Sequence, residues 1–146
     1  MARKSAYDAL KLENQLCFPL YAAARKVVSR YTPLLRPLGI TYTQYIVFLV
    51  LWERDGETVG ELCRKLKLDS GTMTPLLKKM EDEGFVTRER GGEDERVVTV
   101  RLTQKGLGLR EAARDIPARM GECLSLSGAE AKTLYALLYR VIGDME

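Results

Sequence analysis

The run LDSGTMTPLLKKMEDEGFVTRERGGEDERVVTVRL, residues 68–102, changes its hydrophobic period at Gly84. Before that glycine, Met73, Leu76, Leu77 and Met80 recur at the spacing of one helix face. Asp69 or Ser70 can cap the start of this helix, and Gly84 suits the left-handed residue after its end. Pro75 sits early enough to remove at most one interior hydrogen bond. The spacing predicts a helix over 70–83. After Gly84 the residues are β-branched and alternating, FVTRER and RVVTVRL, with GGEDE as a turn between them. A hairpin with strands 85–90 and 96–102 follows, with a charged tip. One short hairpin directly behind a short helix leaves few fold classes open.

The flanks narrow them further. Three capping boxes are legible: Thr41 with Gln44, Thr58 with Glu61, and Ser127 with Glu130. The first precedes YIVFLVLW, apolar on every side. Periodicity cannot separate a buried helix from a strand there, but the box upstream and Glu53 and Arg54 downstream indicate a helix over 43–54. The second precedes Val59, Leu62, Cys63 and Leu66, a clean helical stripe. Thr103 starts a further helix, bent or broken near Pro117. The last, 128–145, carries Leu134, Leu137, Leu138, Val141, Ile142 and Met145 on one side. The order is four helices, hairpin, two helices. The expectation is a mainly α chain with a small β-hairpin wing, a winged helix-turn-helix. Helices at both ends carry apolar faces that so small a unit cannot cover, and they bury each other best across a two-fold axis. The expected organisation is a helical dimerisation region of 1–40 and 103–146 around a DNA-binding region of 41–102, intertwined as one domain of a homodimer.

Composition excludes more than it assigns. The 146 residues carry a net charge of +3, weak evidence for any partner. MARKSAYDALKLENQ has charges but no apolar core of a secretory signal. Tyr45 to Trp52, the longest apolar run, is far short of the ~20 residues of a membrane span. A cytoplasmic protein without a membrane partner is the expectation. There is no histidine, and the three cysteines, Cys17, Cys63 and Cys123, form no CxxC pair. No metal site is expected, and no cofactor.

On the helix of 70–83 the apolar stripe leaves Gly71, Pro75 and Lys78 facing away from the core, flanked by Thr72, Thr74 and Lys79. Small and hydroxyl-bearing groups, Ser70 among them, suit a major groove, and the two lysines reach for phosphates. The hairpin adds Arg88, Arg90 and Arg96, with Asp94 placed to hold the Arg96 guanidinium in a bidentate pair. An arginine at a wing tip can enter a minor groove. The hairpin alone reads equally as a solvated turn, since Glu89, Glu93, Asp94 and Glu95 dilute its basic character. Joined to the preceding helix it points to double-stranded DNA.

Cys17 raises a separate question. Pro19 places it in or just before the first turn of a helix, where proline is best tolerated. Helix N-termini favour the thiolate of a cysteine, and Tyr21, Tyr31 and Tyr42 are candidate hydrogen-bond donors to its sulfur. A lone helical cysteine is more often a small buried hydrophobe than a reactive group. Cys63, inside an apolar stripe, fits that reading, and so does Cys123 near Met120 and Leu124.

The stretches LENQLCFPLYAAARKVVSRYTPLL, GITYTQYIVFLVLWE, LDSGTMTPLLKKMEDEGFVTRER, EDERVVTVRLTQKG and DIPARMGEC resemble the MarR family of winged-helix repressors, and within it the organic hydroperoxide resistance regulators (OhrR). The resemblance covers nearly the whole chain. Asp94 and Arg96 mark the broad family, whereas LENQLCF and LDSGTMTPLLK mark the subgroup. Pro19 departs from what that subgroup implies for its first helix. The resemblance implies that Cys17 is a peroxide sensor, with Tyr31 and Tyr42 donating hydrogen bonds to it from the other subunit. It implies oxidation of the sulfur to a sulfenic acid by an organic hydroperoxide, and release of a pseudo-palindromic operator. Some members pass the sulfenic acid to a small thiol. Others form an intersubunit disulfide, and Cys123 near the resolving position implies the second course here. Cys63 has no implied role. The alternative within the fold is a repressor released by a small aromatic ligand, with inert cysteines. A thiol peroxidase would lack a histidine base and leave the DNA-reading unit without a purpose, so no enzyme is expected.

Overall fold

The computed structural model describes residues 5–146 and divides after Arg114 into two compact units. The first four residues of the stretch read above for a secretory signal lie outside the described residues. The expected division by dimerisation and DNA binding concerned a pair of subunits; the division within one chain falls elsewhere.

The first unit opens with two 3-10 turns, Asp8–Leu10 and Leu12–Asn14, clasped by side chains: Asn14 Nδ2 donates to the Asp8 carbonyl at 2.6 Å. Helix α1 spans Cys17–Leu35, so Cys17 is its first residue and Pro19 its third. Pro19 lacks an amide that would have had no partner within the helix in any case, and α1 runs on without a break past it. A 3-10 turn, Arg36–Leu38, leads through left-handed Gly39 to α2, Tyr42–Glu53. Strand β1, Glu57–Thr58, feeds α3, Val59–Leu66, then α4, Ser70–Asp82. Strands β2, Val86–Arg90, and β3, Val98–Leu102, form the hairpin, and α5, Gln104–Ala113, closes the unit.

YIVFLVLW is helical, and its missing periodicity has a cause. Gln44, Tyr45, Val47, Phe48 and Leu51 are all buried, so α2 is packed on more than one side. Around it Leu35, Leu62, Met73, Leu77, Met80, Phe85, Val86 and Val100 complete the core. Both capping boxes of this unit are present at Thr41–Gln44 and Thr58–Glu61. Gly84 ends α4 as expected: its N–H donates to the Glu81 carbonyl and the Phe85 N–H to the Met80 carbonyl, both at 2.9 Å. That is a Schellman closure, with Phe85 and Met80 buried together.

The sheet has three strands in the order β1-β3-β2, all antiparallel. The two residues of β1 pair with Val100 and Thr99, a strand not expected from the sequence. Gly106 allows α5 to lie against the hairpin. A Cβ there would stand 2.2 Å from the Phe85 carbonyl oxygen, and Trp52 Nε1 donates to the Gly106 carbonyl at 3.1 Å.

The second unit contains α6, Ile116–Gly121, and α7, Gly128–Asp144. The helical break lies at Arg114 and Asp115, just before Pro117, which sits in the first turn of α6. The third capping box, Ser127–Glu130, starts α7, which buries none of its residues. Its apolar side, from Leu134 to Met145, is exposed. No single helix among the described residues is long and apolar enough to cross a membrane.

Candidate DNA interface and thiol site

Helix α4 is positioned from both ends. At its start, Asp69 Oδ1 accepts from the Thr72 N–H at 2.7 Å. At its end, the Lys105 ammonium donates to the Glu83 carbonyl at 2.7 Å, where a cation favours the helix dipole, and also covers the Phe85 ring. Met73, Leu77 and Met80 face inward, so Ser70, Gly71, Thr72, Thr74, Pro75, Lys78 and Lys79 are all exposed on the opposite side. Leu76, read as part of the apolar stripe, is only half-buried. A thirteen-residue helix with small groups at its first turns and lysines behind them can enter a major groove.

The hairpin differs from expectation in two places. Arg88 is not a tip residue. Its Nη2 donates to Glu81 Oε1 at 3.2 Å, its Nε to Glu81 Oε2 at 3.4 Å, and its backbone N–H to the same Oε2 at 3.0 Å. The Arg88 side chain holds the Glu81 carboxyl below the usual carboxylate range. Arg88 thus fastens β2 to α4, and a pairing across seven residues of separation is invisible in a hairpin read by itself. Asp94 and Arg96 do meet, but not as a bidentate fork. One oxygen, Asp94 Oδ1, accepts from both the Arg96 N–H at 3.0 Å and its Nε at 3.1 Å. The exposed pair is therefore a turn clasp that aims the guanidinium. Arg90 is exposed at the end of β2. Arg101, not singled out from sequence, reaches Glu89 across the hairpin at 3.4 Å.

Of the three thiols, all free, Cys17 and Cys123 are exposed and Cys63 is half-buried in α3. The Cys123 thiol donates to the Arg119 carbonyl at 3.4 Å. Tyr31 of α1 and Tyr42 of α2 come together with ring centroids 4.7 Å apart. Tyr45 joins them, 5.6 Å from Tyr31 and 6.3 Å from Tyr42, and was missed in the sequence although it lies one turn from Tyr42. Burial pushes the pKa of the Tyr31 phenol above its ordinary value, with Tyr42 adding to the shift. Burial does the same to Tyr42. These phenols stay protonated at neutral pH and are donors. Tyr21 is not part of this cluster; it is exposed and pairs with the Arg25 guanidinium 5.4 Å from its ring centroid. Tyr31 lies fourteen residues beyond Cys17 on one helix, about 21 Å at the rise of an α-helix. Within one chain the phenol and the thiol cannot meet.

Residues 29–112 match the family described as transcriptional regulator SarA/Rot. The organic hydroperoxide resistance transcriptional regulator of Bacillus subtilis is 47% identical over 139 residues, covering 95% of each chain. This chain is an OhrR-type regulator of the MarR family. Among solved structures, reduced AbfR bound to DNA superposes with a TM-score of 0.79 at 35% identity, over 95% of this chain and 96% of that one. Disulfide-formed AbfR gives 0.65 at 36% identity, over 92% and 95%; AbfR is a protein of Staphylococcus epidermidis. As a member of the OhrR group, the chain is a transcriptional regulator with a winged-helix fold.

The OhrR-type architecture also uses residues without a sequence signal of their own. Glu57 is 2% exposed, and its carboxylate takes the Lys65 ammonium at 2.7 Å, joining β1 to α3. Gln44 and Glu83 meet at 2.7 Å. Among the described residues no group of three or more Cys, Asp or Glu side chains is placed to hold a metal ion.

Proposed function

We propose that this regulator is a repressor that senses organic hydroperoxides through Cys17. The Cys17 thiolate attacks the distal peroxide oxygen, giving a sulfenic acid and the alcohol. The Cys123 thiol of the partner subunit then condenses with the sulfenic acid, forming a disulfide and releasing water. The protein leaves a pseudo-palindromic DNA operator as a result. In this reading it is a homodimer and not an enzyme, and it works in the cytoplasm. Ser70, Gly71, Thr72, Thr74, Pro75, Lys78 and Lys79 face the major groove, and Arg90 and Arg96 reach toward the minor groove.

The observation that carries this reading is the arrangement of α1. An exposed thiol begins the helix, and a protonated phenol pair sits about 21 Å further on, out of its own thiol's reach. In a two-fold pair of such helices each phenol pair serves the other chain's sulfur. The apolar, exposed faces of α1 and α7 supply the surface for that pairing. The relatives support the redox step, since AbfR has been seen reduced on DNA and in a disulfide form.

A second reading has its own observation. Val28, Thr32, Leu35, Arg36, Ile40 and Tyr42 line a groove of about 480 Å³, within the size range of small-molecule sites. An aromatic ligand seated there would release DNA with every thiol intact. One experiment separates the two. Operator binding is followed by gel shift before and after cumene hydroperoxide, with Cys17→Ser and Cys123→Ser beside wild type. The proposal expects Cys17→Ser to bind and ignore peroxide, and Cys123→Ser to lose the crosslink on a non-reducing gel. A Cys17→Ser protein that still responds to peroxide refutes it.

A further inference from the structure

We propose that the Gln44 amide links the phenol site to the recognition helix, so that movement of Tyr42 is delivered to α4. The inference rests on the peroxide-sensing reading above. Tyr42 is the first residue of α2 and Gln44 the third. Gln44 is 1% exposed and uses both ends of its side chain. Its Oε1 accepts from the Thr41 N–H at 3.0 Å, and its Nε2 donates to Glu83 Oε2 at 2.7 Å. Glu83 is the residue that caps the end of α4. The turn that carries Tyr42 is thus bonded, through one buried side chain, to the far end of the helix that presents Ser70 to Thr74.

The choice of residue argues for a purpose beyond capping. A capping box accepts glutamate or glutamine at its third position. The other two boxes of this chain use glutamate, Glu61 and Glu130. The box at Thr41 alone uses glutamine, and its amide donates to the Glu83 carboxylate. Glutamate there would still cap α2 but could not donate to Glu83. Helix α4 is thirteen residues, about 20 Å long, and rigid enough to act as a lever. A displacement at Glu83 tilts the end that enters the groove. Lys105, bonded to the Glu83 carbonyl, gives that lever a fixed point at α5.

The test uses the full-length protein and fluorescence anisotropy with operator DNA. Affinity is measured in the reduced state and after cumene hydroperoxide for wild type, Gln44→Glu, Glu83→Ala and Glu83→Gln. The rate of Cys17 thiol loss is followed by mass spectrometry in the same samples. Gln44→Glu and Glu83→Ala are expected to shrink the ratio of reduced to oxidised affinity at least threefold, while Cys17 is oxidised at the wild-type rate. Glu83→Gln keeps an oxygen that accepts from Gln44, and retains the wild-type ratio. Should Gln44→Glu fail to fold, Glu83→Ala, at a half-buried position, decides alone. A ratio unchanged in Glu83→Ala, including a loss of affinity equal in both states, overturns the link and leaves a structural role. A wild type whose operator affinity ignores peroxide overturns the sensing reading, and the link falls with it.

Discussion

Arg88 of the wing and Glu81 of the recognition helix are joined by three hydrogen bonds, two from the guanidinium and one from the Arg88 backbone. The pair sets the angle at which the hairpin leaves α4. Arg88→Ala is therefore expected to weaken operator binding by roughly twofold to fivefold, as for a partly exposed ion pair, without removing a DNA contact. The slope of affinity against salt would stay as in wild type. A slope lowered by about one unit would instead make Arg88 a phosphate ligand.

The same pair gives a pH dependence. Arg88 lowers the native pKa of Glu81, so its contribution is fully present above the unfolded value of 4.5. It is lost as pH falls through the lower native value. Hydrogen exchange at the Arg88 amide, followed from pH 6 to pH 3 and corrected for intrinsic rates, is expected to lose protection below about pH 4.5. Glu81→Gln should show no such step.

Asp69 supplies the one side-chain cap at the start of α4, accepting from Thr72 at 2.7 Å. Asp69→Ala is expected to cost about 1 kcal/mol of stability, read as a lower urea midpoint. Because the frayed turn is the one that carries Ser70 to Thr72, operator affinity should fall further than stability alone accounts for.

Gly106 has no room for a methyl group, since a Cβ would stand 2.2 Å from backbone oxygen of Phe85. Gly106→Ala is expected to destabilise the fold by about 1–3 kcal/mol through overpacking. Trp52, the single tryptophan, donates to the Gly106 carbonyl and reports the disturbance by fluorescence. Gly108→Ala, where nothing lies within 4 Å, is the matched control.

Tyr31→Phe and Tyr42→Phe remove only hydroxyls. Each is expected to leave reduced operator binding intact and to slow peroxide oxidation of Cys17 by roughly tenfold or more, the worth of a hydrogen bond to a charged sulfur. Stopped-flow thiol loss measures this. Tyr21→Phe, outside the cluster, should oxidise at the wild-type rate.

Local chemistry was readable in the sequence, and long-range pairing was not. The three capping boxes, Gly84 and the exposed face of α4 follow from spacings of three or four residues. Strand β1 escaped because two residues carry no period, and their partners, Val100 and Thr99, lie some forty positions on. Arg88 looked like a wing-tip cation because Glu81 belongs to a different element. Gln44 was recognised as a cap, but its second bond, to Glu83, depends on how α2 and α4 cross. Tyr31 and Tyr42 were named as candidate donors; their tilted cluster with Tyr45 needed the packing of α1 on α2.

On the peroxide-sensing reading, fourteen positions of unbroken helix separate the alarm from its amplifier along α1. Short of melting that rod, a solitary polypeptide has no way to bring its own sulfur and hydroxyls together. On that reading, diluting the regulator until its copies part would leave each copy chemically deaf, however intact its fold.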